Sequence, residues 1–179
     1  MEPLNFSKPR VIWLTGLSGA GKSTLAQALK LQMAKEGTSV YVLDGDVLRH
    51  GLNSDLGYDD QSRSENIRRV VEVAKILHEA NVTVIAAFIS PFRKDRDWAR
   101  SQFQASSFVE VYLDTSIEIC EHRDVKGLYK KARQGLVKNM TGIHSAYEPP
   151  LHPELTINTA YKTIEFCMQQ ILNWINRDL

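Results

Sequence analysis

The sequence predicts a three-layer α/β fold with a mainly parallel sheet of roughly five strands, on three observations. Short apolar runs alternate with amphipathic stretches along the chain, the order produced by parallel strands joined through right-handed helical crossovers. The first apolar run, Val11 to Leu14, leads into a glycine-rich segment that begins at Gly16. The third, Val82 to Ile89, carries almost no polar residue, as a strand does when helices cover both its faces.

Taken in order, Val11, Ile12, Trp13 and Leu14 read as a buried first strand. Leu25, Ala28, Leu29 and Met33 have helical spacing over Leu25 to Lys35, and Gly37 suits the C-terminal stop. Val40 to Leu43 is a second strand. From Ser62 to Glu79, apolar residues recur at Ile67, Val70, Val71, Ala74 and Leu77, one face of a helix. Val82 to Ile89 is the third strand, Arg93 to Phe103 a helix, and Phe108 to Leu113 the fourth strand. Leu155 to Ile157 is a short fifth strand, and Ile164, Met168, Ile171, Leu172 and Ile175 line a last helix. Arg123 to Pro153 has poor apolar periodicity, many basic residues and a Pro149-Pro150 break. A stretch of that length inside a compact domain is usually a lid or binding loop. No repeat or Gly/Ser linker marks a boundary, so residues 1–179 are expected to form a single domain with a lid at about 123–150.

Composition narrows the function. The chain has 179 residues, 43% hydrophobic and 24% charged, with a net charge of +1. No overall field favours nucleic acid or an acidic membrane, so any anion site is built locally. Two cysteines, Cys120 and Cys167, are too few for a disulfide framework and read as small buried hydrophobes. Five histidines are scattered without ligand spacing. Met1 to Lys8 has no apolar signal core, and no run approaches the ~20 residues of a membrane span. The expectation is a cytoplasmic protein that acts on small molecules.

The strongest motif is Gly16-Leu17-Ser18-Gly19-Ala20-Gly21-Lys22-Ser23, followed by Thr24. It fits G-x-x-x-x-G-K-[ST], the P-loop of ATP- and GTP-binding proteins, with an apolar strand before it and a helix after it. The glycines let successive backbone N–H groups converge on phosphate oxygens. The helix adds its N-terminal donors and the positive end of its dipole. Lys22 can bridge the β- and γ-phosphates, and the Ser23 hydroxyl can ligate magnesium. ATP and Mg2+ are therefore the expected cofactors.

The second strand ends in Leu43-Asp44-Gly45-Asp46. Alternate side chains of an extended chain share a face, so both carboxylates could enter the crevice at the strand ends. One could hold magnesium through water while the other accepts a proton from a substrate hydroxyl. Ser23 and Asp46 are the candidate metal-ligating residues; a solvated Asp-Gly turn is the ordinary alternative, more so for Asp44. There is no N-K-x-D motif, and the third strand ends in Ala87-Phe88-Ile89-Ser90-Pro91 without a carboxylate. Both absences weigh against switch GTPases and motor ATPases and favour a small-molecule kinase.

Several strings then match one family in order: Asp44-Gly45-Asp46, Arg49-His50-Gly51-Leu52-Asn53, Asp55-Leu56-Gly57-Tyr58, Asn66-Ile67-Arg68-Arg69, Phe88-Ile89-Ser90-Pro91-Phe92-Arg93, Arg123-Asp124-Val125-Lys126-Gly127-Leu128-Tyr129, and Thr141-Gly142-Ile143. From about Val11 to Pro153 the chain resembles the adenylyl-sulfate kinases, whose fold is the nucleotide-kinase-like P-loop NTPase fold. The resemblance implies ATP-dependent phosphorylation of the ribose 3′-hydroxyl of adenylyl sulfate, and a homodimer. It implies an acceptor set of Asp46, Arg49, Tyr58, Arg63, Asn66, Ile89, Ser90 and Lys126. Arg49 and Arg63 suit a tetrahedral oxyanion, and Tyr58 can stack on adenine.

Arg123 to Lys138 holds six basic residues against the single acid Asp124. Beside a phosphate crevice such a segment reads as a closing lid, with Lys126 neutralising transition-state charge and Arg123 flanking the ATP adenine. The candidate catalytic residues are thus Lys22, Asp46, Ser90 and Lys126. Ser90 has been cast in the family pattern as a phosphoenzyme site. In-line transfer between donor and acceptor needs no covalent stopover, so Ser90 is expected to be a ligand or orienting hydroxyl. Two departures stand out. Met140 replaces a common phenylalanine and would complete an adenine sandwich with Tyr58 through its thioether, and Val47 replaces a common asparagine. The competing readings are a kinase of another small hydroxyl, such as gluconate, shikimate or a nucleoside, and a non-catalytic nucleotide-binding module.

Overall fold

Alternate side chains of a strand face opposite ways, and β1 (Val11–Thr15) spends both faces on core. Val11 and Trp13 enter one apolar cluster, and Ile12 and Leu14 the other. Each fully buried side chain of this size contributes roughly 1.5–3 kcal/mol of transfer free energy. The computed structural model describes residues 8–177, so the reading of Met1 to Lys8 falls, Lys8 apart, outside the described residues.

Around β1 stand β2 (Val40–Asp44), β3 (Thr83–Ala87), β4 (Phe108–Leu113) and β5 (Leu155–Ile157), in the spatial order β2-β3-β1-β4-β5. Every neighbouring pair is parallel. The seven α-helices among the described residues are α1 (Lys22–Lys35), α2 (Gly45–Arg49), α3 (Asp60–Glu79), α4 (Arg93–Ser101), α5 (Ile117–Arg123), α6 (Leu128–Arg133) and α7 (Ile164–Arg177). Leu25, Leu29 and Met33 of α1 pack with Ile171, Leu172 and Ile175 of α7 on one sheet face. Ile67, Val70, Val71 and Ala74 of α3, with Ala99 of α4, cover the other. There the Trp13 ring lies between Phe88 and Phe108, 5.9 Å from each centroid. This is the expected three-layer α/β architecture. Among the described residues no helix is long and apolar enough to cross a membrane.

Leu14 pairs with Ala87, and Ala87 with Asp44. The carboxyl ends of β1, β3 and β2 are therefore level, and the chain leaving each arrives at one crevice.

Three features differ from the sequence expectation. The third strand stops at Ala87 rather than Ile89, because the chain turns at Ser90, whose φ is +39°. The helices α2, α5 and α6 are too short to carry an apolar period. The segment 123–150 is partly core: Tyr129, Ala132, Met140 and Thr141 are buried, and Tyr129 Oη donates to the Ser18 carbonyl at 2.9 Å.

Candidate active site

The glycine-rich segment forms the floor of the crevice. A Cβ on Gly16 would stand 2.8 Å from the Leu113 carbonyl oxygen, and one on Gly19 2.9 Å from that of Cys120. Both glycines also have positive φ, so the tight path of the loop depends on their having no side chain. Lys22, in the first turn of α1, turns back and donates to the carbonyls of Gly16 at 2.9 Å and Leu17 at 2.7 Å. Burial pulls its ammonium from 10.5 down to about 8, a shift partly offset by the neighbouring charges of Cys120, Asp46 and Asp44. Phosphate oxygens above the loop would stabilise the charged form.

The two acids at the end of β2 do not share an extended face, Asp44 being the last strand residue and Asp46 lying in α2. Asp44 closes the strand and caps α2, its Oδ1 accepting from the Asp46 amide at 2.9 Å. That cap starts a helix at Gly45, which turns Asp46 away from Asp44. Asp44 Oδ2 accepts the Ser23 hydroxyl proton at 2.6 Å, whereas Asp46 pairs with Lys126 from the far side of the crevice. The carboxylate beside Ser23 is therefore Asp44. Hydroxyl and carboxylate oxygens side by side at a phosphate loop suit a small hard cation. No cluster of three or more His, Cys, Asp or Glu side chains able to hold a metal occurs among the described residues. The donor set fits a magnesium ion held jointly with nucleotide phosphates, and not a cation caged by protein alone.

A cleft of about 800 Å³ joins these parts. Its lining includes Ser18, Gly19, Gly21, Lys22, Ser23 and Thr24 from the loop and α1, together with Asp46, Arg49, Tyr58, Arg63 and Asn66. Ile89 and Ser90 reach it after β3, and Arg123, Lys126 and Met140 come from the 123–150 segment. Of the candidate site residues singled out in the sequence, Gly16, Leu17, Ala20 and Asp44 do not line it. Leu17 faces the other way, 3.1 Å from where a Cβ on Gly142 would sit.

Both arginines of the expected acceptor set are engaged with protein groups. Arg49 lies over the Tyr58 ring, 4.2 Å from its centroid, and donates to the Leu56 and Gly57 carbonyls at 3.0 Å each. Arg63 donates through Nε to the Tyr58 carbonyl at 2.8 Å, and through its fork to Thr141 Oγ1 and the Asn139 carbonyl. Together they shape the Tyr58 loop and tie it to the 139–141 segment. Tyr58 itself is 61% exposed and open to stacking.

Asn53 was missed as part of this site. It is fully buried and donates through Nδ2 to Asn66 Oδ1 at 2.9 Å. That bond occupies the acceptor end of Asn66 and leaves its amide N–H groups as the donors nearest the cleft. Only the family string containing Asn53 carried a signal for it. Thr159 Oγ1 donates to the Ala20 carbonyl at 2.9 Å, and the Thr159 carbonyl accepts from Arg123 at 2.7 Å. Ser90 is buried, and its hydroxyl is spent inward, accepting from Trp13 Nε1 at 3.1 Å and donating to Thr15 Oγ1 at 3.0 Å.

The arrangement brings a phosphate cradle and a carboxylate–lysine pair into one cleft, beside an exposed ring and a fixed amide. A family model described as adenylylsulphate kinase matches residues 8–158. The chain belongs to the adenylyl-sulfate kinase family. Relatives bear this out over nearly full length. The chain is 54% identical over 169 residues to the adenylyl-sulfate kinase of Aeromonas salmonicida (strain A449), covering 94% of this chain and 86% of the relative. It is 50% identical over 171 residues to that of Geotalea daltonii, covering 96% and 84%. Among solved structures, the Mycobacterium tuberculosis APS kinase CysC in complex with AMPPNP and APS superposes with a TM-score of 0.89. It is 41% identical, with 94% of this chain and 98% of that one covered. In this adenylyl-sulfate kinase family member, one cleft joins the glycine loop to Asp46, Arg49, Tyr58, Arg63 and Asn66.

Proposed function

We propose that this chain is an adenylyl-sulfate kinase that transfers the γ-phosphoryl group of ATP to the ribose 3′-hydroxyl of adenylyl sulfate. The observation that carries the reading is that one cleft is lined both by the phosphate loop with Lys22 and by Asp46, Tyr58, Arg63 and Asn66. The loop N–H groups and Lys22 hold the β- and γ-phosphates. Asp46 accepts the proton of the 3′-hydroxyl as its oxygen bonds to the γ-phosphorus and the bond to the bridging oxygen of ADP breaks. Lys126, opposite Asp46, meets the charge that develops on the equatorial oxygens. Tyr58 and Met140 bracket the acceptor adenine. Asn66, Arg49 and Arg63 take up its phosphosulfate, the arginines by exchanging part of their carbonyl bonds for the stronger charged ones. Arg123 and Thr159 lie on the nucleotide side.

Ser23 and Asp44 would hold a magnesium ion, which would supply charge neutralisation to the nucleotide phosphates. Asp46 serves on the acceptor side in this scheme, which its pairing with Lys126 favours over a shared metal with Ser23. Ser90 acts through its position, since its only proton is already donated to Thr15. We further take the chain to be one domain with a lid at about 123–150, working as a homodimer in a reducing cytoplasm. That compartment suits the free, buried Cys120 and Cys167. Neither nucleic acid nor membrane enters the scheme.

The deciding experiment incubates the protein with ATP, Mg2+ and adenylyl sulfate and identifies the product by mass spectrometry, with gluconate and shikimate as competing acceptors. 3′-Phosphoadenylyl sulfate with stoichiometric ADP is the expected outcome. ADP release with another acceptor alone would reassign the substrate.

A further inference from the structure

Arg96, on α4, is buried within the protein, as is Glu110 in the middle of β4. Arg96 Nε meets Glu110 Oε1 at 2.8 Å, and burial raises the Glu110 carboxyl above its ordinary range. A buried ion pair of this kind is costly to desolvate, and well-packed apolar residues would serve stability as well. Its structural return lies in the other end of the guanidinium fork. Arg96 Nη1 donates to the Ser90 carbonyl at 2.5 Å, and Nη2 to the Glu148 carbonyl at 2.6 Å.

Those two carbonyls belong to different parts of the site. Ser90 has φ +39° and stands directly before Pro91, a place where residues favour extended backbone. Such strain costs on the order of 1–3 kcal/mol and persists only where the surroundings over-determine it. The surroundings here do so. Thr15 Oγ1 donates to the Ile89 carbonyl at 2.7 Å, accepts from Ser90 Oγ at 3.0 Å, and lies 2.9 Å from Tyr147 Oη. With the Thr15 proton given to Ile89, Tyr147 is the donor in the last bond. The Glu148 amide donates to the Pro91 carbonyl at 2.9 Å, and the Glu148 carboxylate accepts the Arg93 amide at 2.7 Å. Residues 147–148 thus form a strap, returning from Met140 and Thr141 on the cleft wall, that is laced onto the turn bearing Ile89 and Ser90.

We propose that Arg96 is a positioning residue for the acceptor half of the reaction. Backed by Glu110, its fork locks the left-handed Ser90 turn and the Tyr147–Glu148 strap into one unit and sets the Ile89–Pro91 wall of the cleft. The phosphate loop has its own supports in Gly16, Gly19 and Tyr129, so the lock acts on acceptor binding and leaves donor binding alone. This rests on the functional reading above.

The test uses Arg96→Lys, which keeps a charge facing Glu110 but loses the fork, and Thr15→Val, which keeps shape but loses the hydroxyl. Amide hydrogen exchange is followed at Ile89, Ser90 and Arg93 and across residues 16–24, and KM is measured for both substrates. Each variant is expected to speed exchange at the Ser90 turn and not at the phosphate loop. For Arg96→Lys, the loss of buried hydrogen bonds from a charged group predicts a rise of about tenfold in KM for adenylyl sulfate, and for Thr15→Val the loss of neutral bonds predicts a smaller rise, with KM for ATP within about twofold in both. Unchanged exchange at the turn overturns the proposal, as does an equal rise in both KM values, which would signify general loosening. If Arg96→Lys does not fold, Arg96→Gln, which keeps an amide donor but loses the fork, is read in its place, and unchanged exchange at the turn overturns the proposal in the same way. If the wild-type protein does not turn over adenylyl sulfate, the functional reading fails, and the exchange data by themselves still decide whether Arg96 locks the turn.

Discussion

The Ser23 hydroxyl donates to Asp44 Oδ2 at 2.6 Å, and the other oxygen of the same carboxylate caps α2. One side chain therefore joins the first turn of α1 to the first turn of α2, which carries Asp46. Asp44 thereby ties the end of the phosphate loop to the backbone of Asp46.

This division assigns different losses to the two acids. Asp44→Asn is expected to raise the Mg2+ concentration needed for half-maximal activity, and chelation of divalent cations to abolish turnover. Asp46→Asn is expected to lower kcat by about 10²–10⁴-fold, the usual worth of a general base, with KM for ATP little changed. Titrating both variants with Mg2+ checks the assignment; the same Mg2+ shift in each would contradict it.

Lys22 makes nucleotide binding depend on pH. Burial holds its ammonium down at about 8 in the free protein, and bound phosphate favours the charged form. Nucleotide binding at and above about pH 8 must then take up a proton, and affinity must weaken as pH rises above that value. Titration calorimetry in two buffers of different ionisation heat reads the proton count directly. Proton release, or affinity that rises with pH, would mean that Lys22 is not the phosphate partner.

Ser90→Ala should retain turnover within about tenfold, because only a hydrogen-bonding hydroxyl is lost. The protein should melt earlier, since Trp13 Nε1 loses its acceptor and a buried unpaired donor costs about 1–3 kcal/mol. A loss of about a thousandfold or more in kcat with an intact fold would favour a phosphoserine intermediate.

Tyr58→Ala should raise KM for adenylyl sulfate about 5- to 150-fold, equivalent to the ~1–3 kcal/mol of an aromatic stacked on a base. Tyr58→Phe should behave as wild type, because the ring face and not the hydroxyl is used. Met140→Phe should lower the same KM, by replacing a thioether contact with a second aromatic face. Steady-state kinetics with ATP saturating separates these effects from donor binding.

Much of the fold was legible because its signals are local and repeated. The apolar runs at Val11–Leu14 and Phe108–Leu113, and the 3.6-residue spacing of Ile67, Val70, Val71 and Ala74, report burial wherever they occur. The short helices were not legible. α2 exists because Asp44 caps it, and α6 because Tyr129 reaches under the phosphate loop, contacts between residues far apart or too few to form a period. The same holds for Asn53, whose importance lies in fixing which end of the Asn66 amide faces the cleft, a matter of one hydrogen bond.

By itself the sequence determined the alternating α/β order, the phosphate loop and the residue types needed on both sides of a phosphoryl transfer, since each is written in adjacent or periodic positions. Only the tertiary structure decided that Asp44 meets Ser23, that Asp46 meets Lys126, and that Arg49 and Arg63 are occupied within the protein. Those pairings depend on where level strand ends and a returning segment converge, and no spacing along the chain encodes such distances.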